Sequence, residues 1–414
     1  MSLALLEHAA PREPALHPSV LARLERDFKP RWDGQWGGRF VLHGSPPGPN
    51  AVRLDGNDYL SVTGHPDIVS AQVAALTRSS EFVVQSGVFL LQQHPSRALE
   101  QALAEWVGKE DALICQSGYA ANVGLLQCIA NADTPVFIDA MAHTSLWEGA
   151  HAARAPAHMF RHNDPDHLDR TLARKGPGVV VVDSVYSTTG AVCPLREMVE
   201  VVEKHGAMIL VDESHSLGTH GARGAGLCAD LGLTNRVHFI TASLAKAMAG
   251  RAGFFTMPAS LRYYVLTSSY PNIFSSCLLP HDVAGLRATV DVLQRADAAR
   301  ARLQQITRRL RERITDLGYP IHQGTEQIIA LEAGTEAATM ELRDALEARG
   351  VFGAIFCAPA TSRNRAMVRL TLNAALTDAE LDHVEQVLAE VAPIVKPWDW
   401  PIARRARVAA DAEA

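Results

Sequence analysis

The feature that most constrains this chain is a set of short runs with no polar position. Val179-Val180-Val181-Val182 is one, and Ala207-Met208-Ile209-Leu210-Val211, which ends at Asp212, is another. A strand with one wet face alternates apolar and polar residues. A strand apolar at every position is covered on both faces, so its sheet carries helices above and below and runs mostly parallel. Helix-like segments fall between the runs as that arrangement requires. Residues 112–115 precede a helix from Tyr119, 135–139 a helix near 145–153, and 178–183 a helix at 195–205. Residues 207–212 lead through a loop to strands at 237–241 and 253–257. The expected fold class is α/β.

Around this block the pattern changes. Residues 1–50 are rich in Pro and Gly, with one short helix around 20–28. A short strand and turn at Leu54-Asp55-Gly56-Asn57-Asp58-Tyr59-Leu60 leads to a helix at 66–78. Pro95-Ser96 starts another over 95–107, apolar at helical spacing through Leu99, Leu103 and Val107. From 281 to 317 the pattern is long, helical and Arg-rich, as in a connecting helix. Strands near 327–331, 352–356 and 367–372 and helices near 338–349 and 378–391 follow. The chain thus divides into an N-terminal segment 1–55, a large domain 56–285, a small C-terminal domain 286–400 that includes the connecting helix, and a flexible tail 401–414. The arginines between Arg300 and Arg313 read as the wet face of the long helix.

Composition removes several classes of function. A net charge of −6 argues against non-specific binding to nucleic acid or anionic membranes. No run of about 20 apolar residues is present to span a bilayer. Met1-Ser2-Leu3-Ala4-Leu5-Leu6-Glu7-His8 has no basic region followed by an apolar stretch, so no signal peptide is expected. Cys115, Cys128, Cys193, Cys228, Cys277 and Cys357 form no Cys-x-x-Cys pair. They read as buried thiols in a reducing cytoplasm, not as disulfides or a zinc site.

A few residues are placed for chemistry. A lysine after a strand is ordinarily a solvated surface group. Lys246, however, lies in Ser243-Leu244-Ala245-Lys246-Ala247-Met248-Ala249-Gly250-Arg251-Ala252-Gly253, a small and apolar setting that disfavours the ammonium form. Asp212 ends an apolar strand, either as a loop acid or at the edge where open α/β sheets bind ligands. Gln116-Ser117-Gly118-Tyr119-Ala120-Ala121-Asn122 follows a strand and opens a helix, where the first free amides attract a phosphate. Ser243 adds a hydroxyl. His143 is one of 17 histidines and by itself reads as a surface or core residue. Gly221-Ala222-Arg223-Gly224-Ala225-Gly226 follows no strand closely and is not a dinucleotide loop. His215 and His220 lack a metal-pairing spacing, and no metal is assigned.

The order Asp212, His215, Lys246 resembles pyridoxal-phosphate (PLP) enzymes of the aspartate-aminotransferase fold, and more of the chain is similar to the α-oxoamine synthase family. Asn57-Asp58-Tyr59-Leu60 resembles an early Asn-x-Tyr-Leu segment, Ser117-Gly118-Tyr119-x-Ala121-Asn122 a phosphate turn, and His143-x-Ser145-Leu146 a segment whose His stacks on the cofactor ring. Asp212-Glu213-x-His215-Ser216-x-Gly218 is similar to an Asp-Glu-Ala-His signature and Ser243-x-x-Lys246 to Thr/Ser-x-x-Lys. The likeness runs from Asn57 to about Ala375. It implies fold type I, with a mostly parallel seven-stranded sheet in the large domain and a smaller C-terminal α+β domain. It also implies that Lys246 forms a Schiff base with PLP, Asp212 pairs with the ring nitrogen, His215 lies near the ring hydroxyl and His143 covers the ring. Ser187 is counted among the expected cofactor contacts. Phe274-Ser275-Ser276-Cys277-Leu278-Leu279-Pro280 resembles a segment that reaches the phosphate from a neighbouring subunit. A homodimer with shared sites, in which Ser275 and Ser276 touch the cofactor, is implied. Arg369-Leu370-Thr371-Leu372 resembles the strand whose Arg grips the substrate carboxylate, with Asn57 and Tyr59 as further substrate contacts.

Departures narrow the substrate. Before the 95–107 helix the family has Gly-Ser-Arg, whereas this chain reads Gln85-Ser86-Gly87-Val88-Phe89-Leu90-Leu91-Gln92-Gln93-His94. A small polar pocket is exchanged for apolar residues, which weakens glycine as the amino donor. The family's His after the Arg strand is Leu376 here. Within the family the pattern is most similar to the bacterial quorum-sensing autoinducer synthases. That likeness implies an aminoketone precursor of an α-hydroxyketone signal, made from a medium-chain acyl-CoA and S-adenosylmethionine or 2-aminobutyrate. The competing expectations are a glycine C-acetyltransferase, an 8-amino-7-oxononanoate synthase, and a non-catalytic scaffold or regulator that would have no use for Lys246.

Overall fold

A computed structural model describes residues 14–78, 85–321 and 323–405. Its strands are β1 (Val52–Leu54), β2 (Asp111–Cys115), β3 (Val136–Asp139), β4 (Ala157–Phe160), β5 (Val179–Asp183), β6 (Met208–Asp212), β7 (Phe239–Ser243), β8 (Gly253–Met257), β9 (Ile328–Gly334), β10 (Val351–Phe356) and β11 (Ala366–Thr371). Strands β2 to β8 form a seven-stranded sheet in the order β2-β8-β7-β6-β5-β3-β4. From β4 to β7 the pairing is parallel, and β8 runs antiparallel between β7 and β2. The mostly parallel sheet expected from the sequence is therefore present. β5 and β6 show why their runs are unbroken. Val180, Val182, Ile209 and Val211 belong to the core on one face, and Val179, Val181 and Leu210 to the core on the other. Each such side chain contributes about 1.5 kcal/mol or more by leaving water.

The apolar pattern does not announce β4 or the helix Pro165–Lys175. β4 is the edge strand, and Met159 in it is exposed, so no run marks it. The helix carries local signals instead. The Asp164 side chain accepts from His167 N at 2.7 Å, Pro165 opens the first turn, and Gly176 at φ 84° ends the last.

The single helix expected over 281–317 is two, Pro280–Gln294 and Asp297–Asp316, separated at Arg295 and Ala296. The expectation that Arg300 to Arg313 form a wet face holds for the exposed Arg308 and Arg313 and is corrected for Arg300 and Arg311. Arg300 is buried and donates from Nη1 to Leu293 O at 2.7 Å and Gly218 O at 3.3 Å. Leu293 lies in the last turn of a helix, and its carbonyl, which also accepts from Ala296 N at 3.1 Å, takes the guanidinium as a second donor. Arg311 donates from Nε to Glu326 O at 2.8 Å in the same manner. Arg302 and Arg309 pair with Asp378, Asp382 and Glu385 on the helix Asp378–Val395.

The second sheet has the order β1-β10-β11-β9. β1 pairs parallel with β10 through Val52 and Val351, so residues before 56 complete the sheet of the C-terminal part. The helix Asp378–Val395 that packs beside it opens with a capping box between Thr377 and Glu380. The tail is not loose throughout: residues 401–405 are helical, Ile402 is buried, and Arg405 pairs with the buried Glu332 at 2.5 Å. Residues 406–414, like the N-terminal residues 1–8 considered for a signal peptide, lie outside the described residues. Among the described residues no helix is long and apolar enough to cross a membrane, no group of His, Cys, Asp and Glu is placed to hold a metal, and the cysteines are free.

Glu213 holds the turn that follows β6. It is buried, and its carboxylate accepts from Leu227 N and Cys228 N at 2.7 Å each and from Ser216 Oγ. Gly226, at φ 99°, passes so close that a Cβ there would lie 2.3 Å from Glu213 Oε2. Glu213→Ala leaves two buried amides without an acceptor and is expected to cost about 3 kcal/mol, read as a lower denaturant midpoint. An unchanged midpoint contradicts this assignment.

Candidate active site

Strands β3, β5, β6 and β7 end at one edge of the large sheet, and a cavity of about 410 Å³ opens there. Open α/β sheets collect their ligands at this edge. Asp212, the last residue of β6, is buried. Its Oδ2 accepts from Asn122 Nδ2 at 2.7 Å and its Oδ1 from Ser214 N at 2.9 Å. Both donors are neutral, so the carboxylate is a buried charge that still calls for a cation. Asn122 belongs to the helix Gly118–Ile129 and also donates to Ser145 Oγ at 2.8 Å.

Lys246 lies in the turn between β7 and β8, among the buried Leu244, Ala247 and Met248. Burial lowers its pKa, and the charge of Arg369 lowers it further, against the pull of Asp212. More of the amine is then neutral and able to attack a carbonyl. His143 caps the helix Thr144–Ala152. Its Nδ1 accepts from Ser145 N at 3.3 Å and lies 2.7 Å from Ser145 Oγ, and its own N–H donates to Asp183 Oδ1 at 3.2 Å. Burial lowers the pKa of this ring too, and keeps the imidazole neutral. His215 is buried three residues after Asp212, with its Nδ1 2.5 Å from Tyr59 Oη. Burial, and then the charge of Lys246, hold it well below the ordinary histidine range.

At the opposite wall Ser117 caps the helix Gly118–Ile129, its Oγ accepting from Ala120 N at 3.1 Å. Gly118 touches β7 so closely that a Cβ would stand 2.6 Å from Ser243 Cβ. This close approach of a helix N-terminus is suited to a phosphate. Arg369, buried on β11, comes from the small sheet. It donates from Nη1 to Ser187 O at 2.8 Å and from Nη2 to Asn57 Oδ1 at 3.0 Å, and its guanidinium lies 4.3 Å over the Phe356 ring.

Of the residues expected from the sequence, Asn57, Ser117, Gly118, Tyr119, His143, Ser187, Asp212, His215, Ser243, Lys246 and Arg369 line this cavity. Tyr59 does not. It is fully buried and supports His215 from behind. Ser275 and Ser276 are also elsewhere: Ser275 Oγ donates to Pro271 O, and Ser276 O accepts from Gln116 Nε2 at 2.6 Å. Asp183 and Phe356, which have no expected role, also line the cavity, and Asn122, expected only as part of the phosphate turn, bonds Asp212. Asp183 has a legible signal, because it ends the most apolar run in the chain and stands in register with Asp212.

The residues fit pyridoxal phosphate. The unpaired charge of Asp212 decides the matter, since a ring nitrogen that keeps its proton is the cation it lacks. Lys246 offers an amine to the aldehyde, and the helix at Gly118 offers amides to the phosphate. Fold and cavity together define a fold type I PLP enzyme.

Comparison with known proteins agrees. The aminotransferase class I and II family matches residues 49–388. A CAI-1 autoinducer synthase of Vibrio campbellii is 44% identical over 346 residues, 84% of this chain and 88% of that protein. An 8-amino-7-oxononanoate synthase of Anaeromyxobacter dehalogenans is 33% identical over 348 residues, again 84% and 88%. The structure of Sphingomonas wittichii serine palmitoyltransferase superposes with a TM-score of 0.84 at 27% identity, covering 91% of this chain and 99% of that one. The chain belongs to the aminotransferase class I and II family and, within it, to the PLP-dependent α-oxoamine synthases, which are acyltransferases.

Proposed function

We propose that the protein joins S-adenosylmethionine or 2-aminobutyrate to a medium-chain acyl-CoA, releasing coenzyme A and carbon dioxide, and so makes the aminoketone precursor of a quorum-sensing autoinducer. The observation that carries this reading is the 44% identity to a CAI-1 autoinducer synthase, against 33% to an 8-amino-7-oxononanoate synthase over a similar span. Gly87, Val88, Leu90 and Leu91 line a separate pocket and not this cavity, so the reading does not rest on them.

When bound, PLP supplies a protonated ring that accepts the electron pair left at the amino-acid α-carbon. The chain's own residues do the rest. Asp212 keeps the ring nitrogen protonated, and Asn122 and Ser214 hold that carboxylate in place. Lys246 Nζ is the amine that would hold the cofactor aldehyde, and in its free neutral form it is the base that takes the α-proton. Two N–H groups of Arg369 are occupied by Ser187 and Asn57, while its Nε has no partner among the described residues. The remaining donors grip the substrate carboxylate. The α-carbon then bonds to the thioester carbonyl carbon, the C–S bond breaks to release coenzyme A as thiolate, the carboxylate leaves as carbon dioxide, and the proton held on Lys246 Nζ returns to the α-carbon.

Arg369→Lys keeps the charge but loses the fork. It is expected to raise KM for the amino donor about 10- to 100-fold and to lower kcat much less. An unchanged KM contradicts the carboxylate role. The reading itself is tested with amino donor labelled at its carboxyl carbon: label leaves as carbon dioxide only when a medium-chain acyl-CoA is present. Loss of label without thioester, or retention with it, rejects the proposal.

The protein is further proposed to act in the cytoplasm as a homodimer with shared sites. Ser275 and Ser276 stand off the cavity of their own subunit, beside the exposed Phe274 and Tyr270. Equilibrium sedimentation at twice the chain mass supports this, and a monomer that turns over at full rate excludes it.

A further inference from the structure

Three adjacent parallel strands end in an aspartate at the cavity edge: Asp139 on β3, Asp183 on β5 and Asp212 on β6. Asp183 lies directly between the other two in strand order and is paired in register with Asp212. Neighbouring strands are about 5 Å apart, so the carboxyl groups of Asp183 and Asp212, level with each other and on one face, crowd in a dry setting, whereas Asp139 is one position out of step with Asp183. Their hydrogen-bond partners differ sharply. Asp139 takes Met141 N at 2.8 Å, Asn163 N at 2.9 Å and His162 Nδ1 at 2.9 Å. Asp212 takes Asn122 Nδ2 and Ser214 N at 2.7 and 2.9 Å. Asp183 has one donor among the described residues, His143 N, at 3.2 Å. Three donors or two can hold a charge, whereas a single long bond does not offset the burial of a second anion beside Asp212.

We infer that Asp183 is a positioning residue that keeps its proton in the working enzyme. It anchors His143 through the backbone amide and turns a hydroxyl, not a second negative charge, toward the cavity. Asp212 is then the one ionised carboxylate that faces the cofactor ring. Other groups around Asp183 agree with this state. Burial and then the charge of Asp212 push its acidity well away from the carboxylate range. Tyr186 and Cys193, packed beside it, are themselves kept neutral by burial. The cations of the cavity do not bond to it: Arg369 is committed to Ser187 and Asn57, and Lys246 is reserved for the cofactor aldehyde.

The test compares holoenzyme Asp183→Asn with Asp183→Ala. Asn retains an oxygen for His143 N and carries no charge, as a protonated acid does. Infrared difference spectra at neutral pH are expected to contain a protonated-carboxyl C=O band that vanishes in Asp183→Asn. The pH midpoint of the cofactor absorption is expected to stay within about 0.3 unit of the unsubstituted enzyme. Asp183→Ala is expected to weaken PLP binding about 10-fold, and Asn to restore it. If Asp183 were ionised, the band would be absent and the Asn midpoint would fall by about 1 unit or more, because a nearby anion that favours the protonated chromophore is gone. That outcome overturns the inference, as does an Asn variant as defective in PLP binding as Ala. Should Asp183→Ala fail to fold, the infrared band and the Asn midpoint still decide the question.

Discussion

Lys246→Ala is expected to reduce coenzyme A release from an acyl-CoA by about 10³-fold or more, the combined loss of a covalent anchor and a general base. Lys246 is the one primary amine among the residues that line the cavity. Burial favours its neutral form, the form that bonds an aldehyde and accepts the α-proton. His143 and His215 are neutral as well, yet neither replaces an amine at a carbonyl carbon. The variant is also expected to lose the absorption band of lysine-bound cofactor while it keeps its fold, since the turn around it is built from Leu244, Ala247 and Met248. Near-normal thioester cleavage by Lys246→Ala would remove the chemistry assigned to this residue.

Asp212→Asn tests the ring nitrogen. The substitution retains the shape of the side chain and one acceptor oxygen, for Asn122 or Ser214, while it removes the charge and sets a donor where the second oxygen stood. Without the charge the ring nitrogen loses its proton near neutral pH and the ring withdraws electrons poorly. A fall in kcat of about 10²- to 10³-fold follows, with weaker PLP binding. Stability of the cofactor-free protein changes little, because relief of a buried carboxylate with only neutral partners offsets the acceptor that is lost. A kcat within a few-fold of the unsubstituted enzyme, or a marked loss of stability without cofactor, contradicts the assignment.

Much of this was legible in the chain, for identifiable reasons. β5 and β6 are buried on both faces, so burial alone writes them as unbroken apolar runs. Asp212 and Lys246 stand at the ends of such elements, where an acid or an amine is conspicuous. What escaped the reading lacks a local signature. β4 is an edge strand with one side in water. The Arg300 guanidinium is buried by carbonyls of a neighbouring helix end, and its sequence context is that of a wet face. Tyr59 is an aromatic in a motif, and nothing near it in sequence tells that it serves His215 from behind instead of meeting a ligand. Asp183 was visible as the end of a strand, but its crowding by Asp212 depends on strand register, a property of pairing between segments far apart in sequence.

The most direct measurement is coenzyme A release by the purified PLP-loaded protein with acetyl-, octanoyl-, decanoyl- and dodecanoyl-CoA, each offered with glycine, 2-aminobutyrate or S-adenosylmethionine. Release is expected only when a medium-chain thioester meets one of the latter two donors. Release confined to acetyl-CoA and glycine, or no release from any pair by a protein that binds PLP through Lys246, contradicts it.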